Sequence, residues 1–248
     1  MTKNTKTFAT ALIVGLAAAL LPSAMRGQEQ VCPGTAGATS CYIDDFSSGF
    51  YSKSLSTGTA SKTQNGTMVG NSRLTILTAC EPTNPCSTDP YEQPNSYQIK
   101  KATETTSNIL IFNTGYKSNA TLEVTYGDGD PMNINLSPQY DRIRLYFDSA
   151  DGGGVNMNIN VYTESDPYSS LGCNFTDPNG PQAPFTVDFP FANFIGGYAG
   201  FGNVTAIGLE FNGAQGLYTG EDWGITSIQA VLGGTADITC GSSQSVSK

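Results

Sequence analysis

The chain has 248 residues, 21 of them acidic and 12 basic, contains no histidine, and carries a formal net charge of −9. With its lysines and arginines scattered through so acidic a chain, it has no electrostatic footprint for nucleic acid or an anionic membrane. The missing histidine excludes Ser-His-Asp and Cys-His catalysis and any histidine-based metal centre.

Residues 1–27 read as a secretory signal peptide. Lys3 and Lys6 open it, an apolar run from Phe8 to Leu21 follows, and Pro22, Ser23, Ala24 and Gly27 mark a processing region. No second apolar run of spanning length follows, so the mature chain is expected without a membrane span, secreted or periplasmic. A lead-in (28–40), one domain (41–240) and a polar tail (241–248) complete the expected organisation. All six cysteines (Cys32, Cys41, Cys80, Cys86, Cys173, Cys240) lie beyond the signal, and an even count in an exported chain reads as disulfides. The short proline-bent loop CEPTNPC favours Cys80–Cys86. The other four pair either as Cys41–Cys240, if first and last strands meet, or as Cys32–Cys41 with Cys173–Cys240.

Short alternating runs separated by turn residues predict an all-β chain. In order, strands are expected at 42–46, 73–78, 97–101, 108–112, 120–126, 141–148, 155–162, 185–189, 204–211 and 225–232. Residues 164–184 read as a long loop carrying Cys173. Two runs assign faces, because side chains alternate across a sheet. In DRIRLYFD, Ile143, Leu145 and Phe147 share one face and Arg142, Arg144 and Tyr146 the other. In VNMNINVY, Val155, Met157, Ile159 and Val161 oppose Asn156, Asn158, Asn160 and Tyr162. Only DGGG and its neighbours separate the runs, so a hairpin is expected, with its polar faces merged into one Arg/Asn/Tyr surface.

The strings YIDDF, LEVTYGDGD, YDRIRLYF, FGNVTAIGLEF and DWGITSIQAV together resemble a galactose-binding-like jelly roll. Similar strings occur in carbohydrate-binding modules and in exported bacterial proteins of unassigned role. The resemblance covers most of residues 41–232 as an order of strands. It implies an antiparallel jelly-roll β-sandwich whose first strand lies against the last, and acids at both ends that often hold structural calcium. Asp44 or Asp45 matches the first-strand ligand and Asp222 the last-strand one. Thr226 stands where such chains commonly carry an aspartate. Calcium takes about six to eight oxygens, so the competing expectation is that Asp44 and Asp45 cap loop amides or face solvent.

Three functional classes remain. A glycan-binding module would use Arg142, Arg144, Tyr146, Asn156, Asn158, Asn160 and Tyr162, whose amides, guanidiniums and rings suit hydroxyl-rich ligands; a solvated sheet face has the same composition. Trp223, the single tryptophan, reads as packing rather than a sugar platform. A glycosidase needs only two carboxylates, for which Glu123 and Glu210 are candidates. A surface or matrix interaction protein is the third class, and with GSSQSVSK read as a polar tail no C-terminal anchor is expected. Acceptor triplets for N-linked glycan begin at Asn65, Asn119, Asn135, Asn174 and Asn203.

Overall fold

The computed structural model describes residues 30–79, 95–101, 107–115, 120–151, 154–164, 169–179, 183–196, 201–212 and 222–241. The expected signal segment and the Cys80–Cys86 bridge lie outside them. The strands are β1 (Ser40–Asp44), β2 (Tyr51–Leu55), β3 (Gly58–Asn65), β4 (Ser72–Ala79), β5 (Asn95–Lys100), β6 (Ile109–Asn113) and β7 (Ala120–Tyr126). They continue with β8 (Arg142–Asp151), β9 (Val155–Thr163), β10 (Ser169–Phe175), β11 (Phe185–Pro190), β12 (Val204–Asn212), β13 (Asp222–Val231) and β14 (Ile238–Thr239).

Two sheets result. Sheet A runs β14-β11-β8-β13-β6-β5-β2, with β1 paired to the second half of β13; sheet B runs β10-β9-β12-β7-β4-β3. Neighbouring strands are antiparallel except β11 and β14. This is the expected jelly-roll sandwich, and the first strand does lie against the last long one, Ser40 opposite Val231.

Alternation explains the core. From sheet A, Ile143, Leu145 and Phe147 of β8 and Val187 and Phe189 of β11 turn inward; from sheet B, Met157 and Ile159 of β9 and Leu209 and Phe211 of β12 meet them. Trp223 is buried at this interface, its ring 4.4 Å from Phe211 and 5.2 Å from Phe112, so it packs the core as expected.

Two expectations are corrected. The runs flanking the DGGG turn do not form a hairpin: β8 pairs with β11 and β13, whereas β9 pairs with β10 and β12. The chain leaves sheet A at Asp151 and enters sheet B at Val155, crossing the sandwich. Both apolar faces still line the core, but the polar faces end on opposite outer surfaces, so no merged surface exists. Secondly, the expected loop 164–184 contains β10, seven residues paired to β9 from Ser169–Val161 to Phe175–Val155. Cys32 bonds Cys41, and Cys173 bonds Cys240, which selects the second of the two pairings.

Candidate functional site

On the outer face of sheet A the arginines are already engaged. Arg144 forks onto Asp188 of β11, Nε donating to Oδ1 at 2.6 Å and Nη2 to Oδ2 at 2.8 Å. Arg142 donates to the same carboxylate at 2.8 Å and to both oxygens of Asp141 at 2.7 and 3.0 Å. Asp188 is fully buried beneath them. These bonds raise both guanidiniums above their ordinary value, and Arg142 holds the Asp141 carboxyl below its own. A forked, charge-assisted pair is strong and directional, so two of the expected donors are committed to structure. Tyr146 lies beside them, opposite Thr186 and Ser227.

The outer face of sheet B is different. Asn156, Asn158 and Asn160 stand half-buried along β9, and their side chains make no hydrogen bond among the described residues. Register places them in rows across the sheet: Gly172, Asn158, Glu210, Glu123 and Ile76 in one, Ser170, Asn160, Gly208, Thr125 and Leu74 in the next. Gly172 on one side of Asn158 and Gly208 on one side of Asn160 leave the face low at those two positions. A methyl group at Gly208 would lie 3.8 Å from the ring of Tyr162, so that ring leans over Gly208; one at Gly172 would come within 2.7 Å of Asn158 Oδ1. Tyr162 is 36% exposed.

Glu123 and Glu210 are direct cross-strand partners on this face. Burial, and then the neighbouring Glu210 charge, push the Glu123 carboxyl above its ordinary 4.5. The sequence marked these two as a pair of carboxylates; the register shows them side by side.

The expected calcium ligands do not converge. Both oxygens of Asp44 are occupied: Oδ1 accepts the Phe46 amide at 2.7 Å, and Oδ2 accepts Arg73 Nη1 and, at 2.9 Å, the Tyr126 hydroxyl. Burial pushes the Asp44 carboxyl up while these donors oppose it, and burial pushes the Tyr126 hydroxyl up, so it stays a donor. Asp45 accepts the Ser47 amide at 2.9 Å, the loop-capping role. Asp222 sits at the other end of β13, opposite Asn113 and Asp151, whereas Asp44 lies opposite Ile228. Six residues of strand separate them, about 20 Å. Thr226 donates to the Tyr146 carbonyl at 3.2 Å. Among the described residues no three acidic or thiol groups gather where a metal could bind. As placed here, Asp44, Asp45 and Asp222 therefore do not assemble into the calcium site that the resemblance implies.

Fold and site together define an antiparallel β-sandwich with one ion-paired outer face and one low face of free amides. No family model matches the chain, and no curated protein matches it. Solved structures do. One is a family 11 carbohydrate-binding module from Clostridium thermocellum in complex with a β-1,3-1,4-mixed-linked tetrasaccharide: 10% identity, 78% of this chain and 95% of that chain, TM-score 0.35. Another is the same family's module of a cellulosomal cellulase of that organism, 11% identical over 78% of this chain and 95% of that one, TM-score 0.34. An agarase is 9% identical over 80% of this chain but only 25% of its own, TM-score 0.37.

Proposed function

We propose that this protein is an exported, non-catalytic binding module that holds a glycan chain on the outer face of sheet B. The observation that carries the reading is the line of uncommitted amides at Asn156, Asn158 and Asn160. Each amide both donates and accepts, as sugar hydroxyls do, and asparagine is disfavoured in strands unless something compensates. The glycines beside them let a chain lie close to the sheet, and Tyr162 offers a ring at one end. Glu123 and Glu210 add acceptors for hydroxyl donors and repel polyanions, so the reading is an uncharged glycan. The same two carboxylates are direct cross-strand neighbours on one sheet face, an arrangement that suits accepting hydrogen bonds from a bound chain. Two disulfides suit an oxidising compartment, which supports export.

A glycan array probed with the full mature chain tests this. Binding to neutral polysaccharide is expected, with no release of reducing sugar. Asn158→Ala and Tyr162→Ala should each weaken it about fivefold, the worth of roughly 1 kcal/mol. Arg144→Ala, on the opposite surface, should leave affinity unchanged. Binding lost with Arg144 but indifferent to Asn158 and Tyr162 would move the site to the other sheet.

A further inference from the structure

Inside the sandwich, one cluster gathers three oxygens of the kinds that also ligate calcium, part of the roughly six to eight that the ion takes. The Asp44 carboxylate and the main-chain carbonyls of Ser48 and Gly49 surround one guanidinium-sized space. A carboxylate and loop carbonyls arranged so are what calcium recruits. What fills it is the guanidinium of Arg73, reaching from β4 in the opposite sheet. Its Nη1 donates to Asp44, and its Nη2 to the Ser48 carbonyl at 2.6 Å and the Gly49 carbonyl at 3.0 Å. Arg73 and Asp44 are fully buried, and the guanidinium carbon lies 5.3 Å over the ring of Phe46. Gln64 adds a second donor to the Gly49 carbonyl at 3.2 Å.

We propose that Arg73 is a built-in replacement for a structural cation: its guanidinium supplies the positive charge around which residues 44–49 fold and by which β1 of sheet A is held to β4 of sheet B. The geometry of the turn fits this role. Phe46 has φ of 54° and Gly49 of 67°, so the backbone doubles back twice within a few residues and presents two carbonyls to one point. Left-handed φ is unfavourable for a bulky residue such as phenylalanine, so a conformation of this kind needs an organising group. A metal would do that reversibly, in step with its concentration. An arginine, covalently part of the chain and permanently charged, does so unconditionally.

The test uses the full mature chain in thermal melts. For the wild type, a calcium chelator and then 10 mM calcium (about that concentration, well above weak-site affinities) should leave Tm unchanged, and calorimetric titration should show no calcium binding. Arg73→Ala should lower Tm by roughly 10 °C, because it leaves a buried carboxylate unpaired, and calcium at that concentration should restore part of the loss by entering the vacated oxygen set. Arg73→Lys keeps the charge but not the fork, so it should fall between the two. A wild-type Tm that drops with chelator overturns the proposal. So does an Arg73→Ala protein that folds and ignores calcium, since the oxygens would then not form a cation site. If Arg73→Ala does not fold, Arg73→Lys and the wild-type titration decide alone, and stoichiometric calcium binding by either would sink the idea.

Discussion

Glu123 shows how one residue reports on the character of its surface. It lies half-buried beside Glu210, and burial followed by that neighbour's charge lifts its carboxyl above 4.5. A group whose folded-state value is raised binds its proton more tightly in the folded than in the unfolded chain. Its stabilising contribution is therefore complete below the unfolded value of 4.5 and is lost as pH rises through the folded one. At neutral pH the ionised pair opposes folding. Glu123→Gln removes that opposition, so Tm should rise by about 2 °C at pH 7, the scale of like charges set directly opposite in a sheet. At pH 3.5 (roughly a unit below the unfolded value) the difference from wild type should vanish. Calorimetry at the two pH values checks it, and an equal gain at both would show that shape rather than charge governs the position. A protein that keeps such a pair apposed on the same row as Asn158 accepts a stability cost there, a frequent mark of a working surface.

At the scale of elements, β8 and β9 show what a strand's sequence contains and what it omits. Two-residue alternation assigned every inward side chain correctly: Ile143, Leu145 and Phe147 on β8, Val155, Met157, Ile159 and Val161 on β9 are all buried. It also placed the arginines and asparagines outward. Alternation says nothing of partners, however, and a short connection serves a crossing between sheets as readily as a hairpin within one. The commitment of Arg142 and Arg144 was equally hidden, because Asp188 is more than forty residues away in the chain. β2, β3 and β10 escaped notice for another reason. They lie at sheet edges and contribute few apolar side chains, in β3 a single buried residue, Gln64, among eight. The neighbour of Asn158 on β10 gives a prediction at this scale. A methyl group at Gly172 would meet Asn158 Oδ1 at 2.7 Å, and only the flexible amide has to move. Gly172→Ala should therefore leave Tm within about 1 °C, as surface changes do, while weakening glycan binding about as much as Asn158→Ala. Undiminished binding would mean that the amide's orientation does not matter.

For the whole molecule, the question is what keeps two twisted sheets in register across one core. At one lateral edge β2 of sheet A leads within two residues into β3 of sheet B, so the chain itself closes the sandwich. In the interior the Asp44–Arg73 pair and the Tyr126 hydroxyl join β1 to β4 and β7. At the other lateral edge, where β10 borders sheet B and β14 borders sheet A, the link from β10 to β11 is longer, nine residues from 176 to 184. There the Cys173–Cys240 bond adds a covalent tie between the sheets, joining residues 67 apart in sequence, whereas Cys32–Cys41 spans only nine. Chain entropy assigns about 4 kcal/mol to the long closure and about 3 kcal/mol to the short one. The long one also clamps stacked Phe147 and Phe185 against Phe175 of β10, so its removal exposes aromatic core. The double variant Cys173→Ser/Cys240→Ser should lower Tm by about 10 °C, with proteolytic cleavage appearing first in β10. Cys32→Ser/Cys41→Ser should cost less and leave β10 protected. If the two variants lose equal stability, or cleavage begins elsewhere, the open edge is being held by apolar packing and the covalent tie across it is incidental.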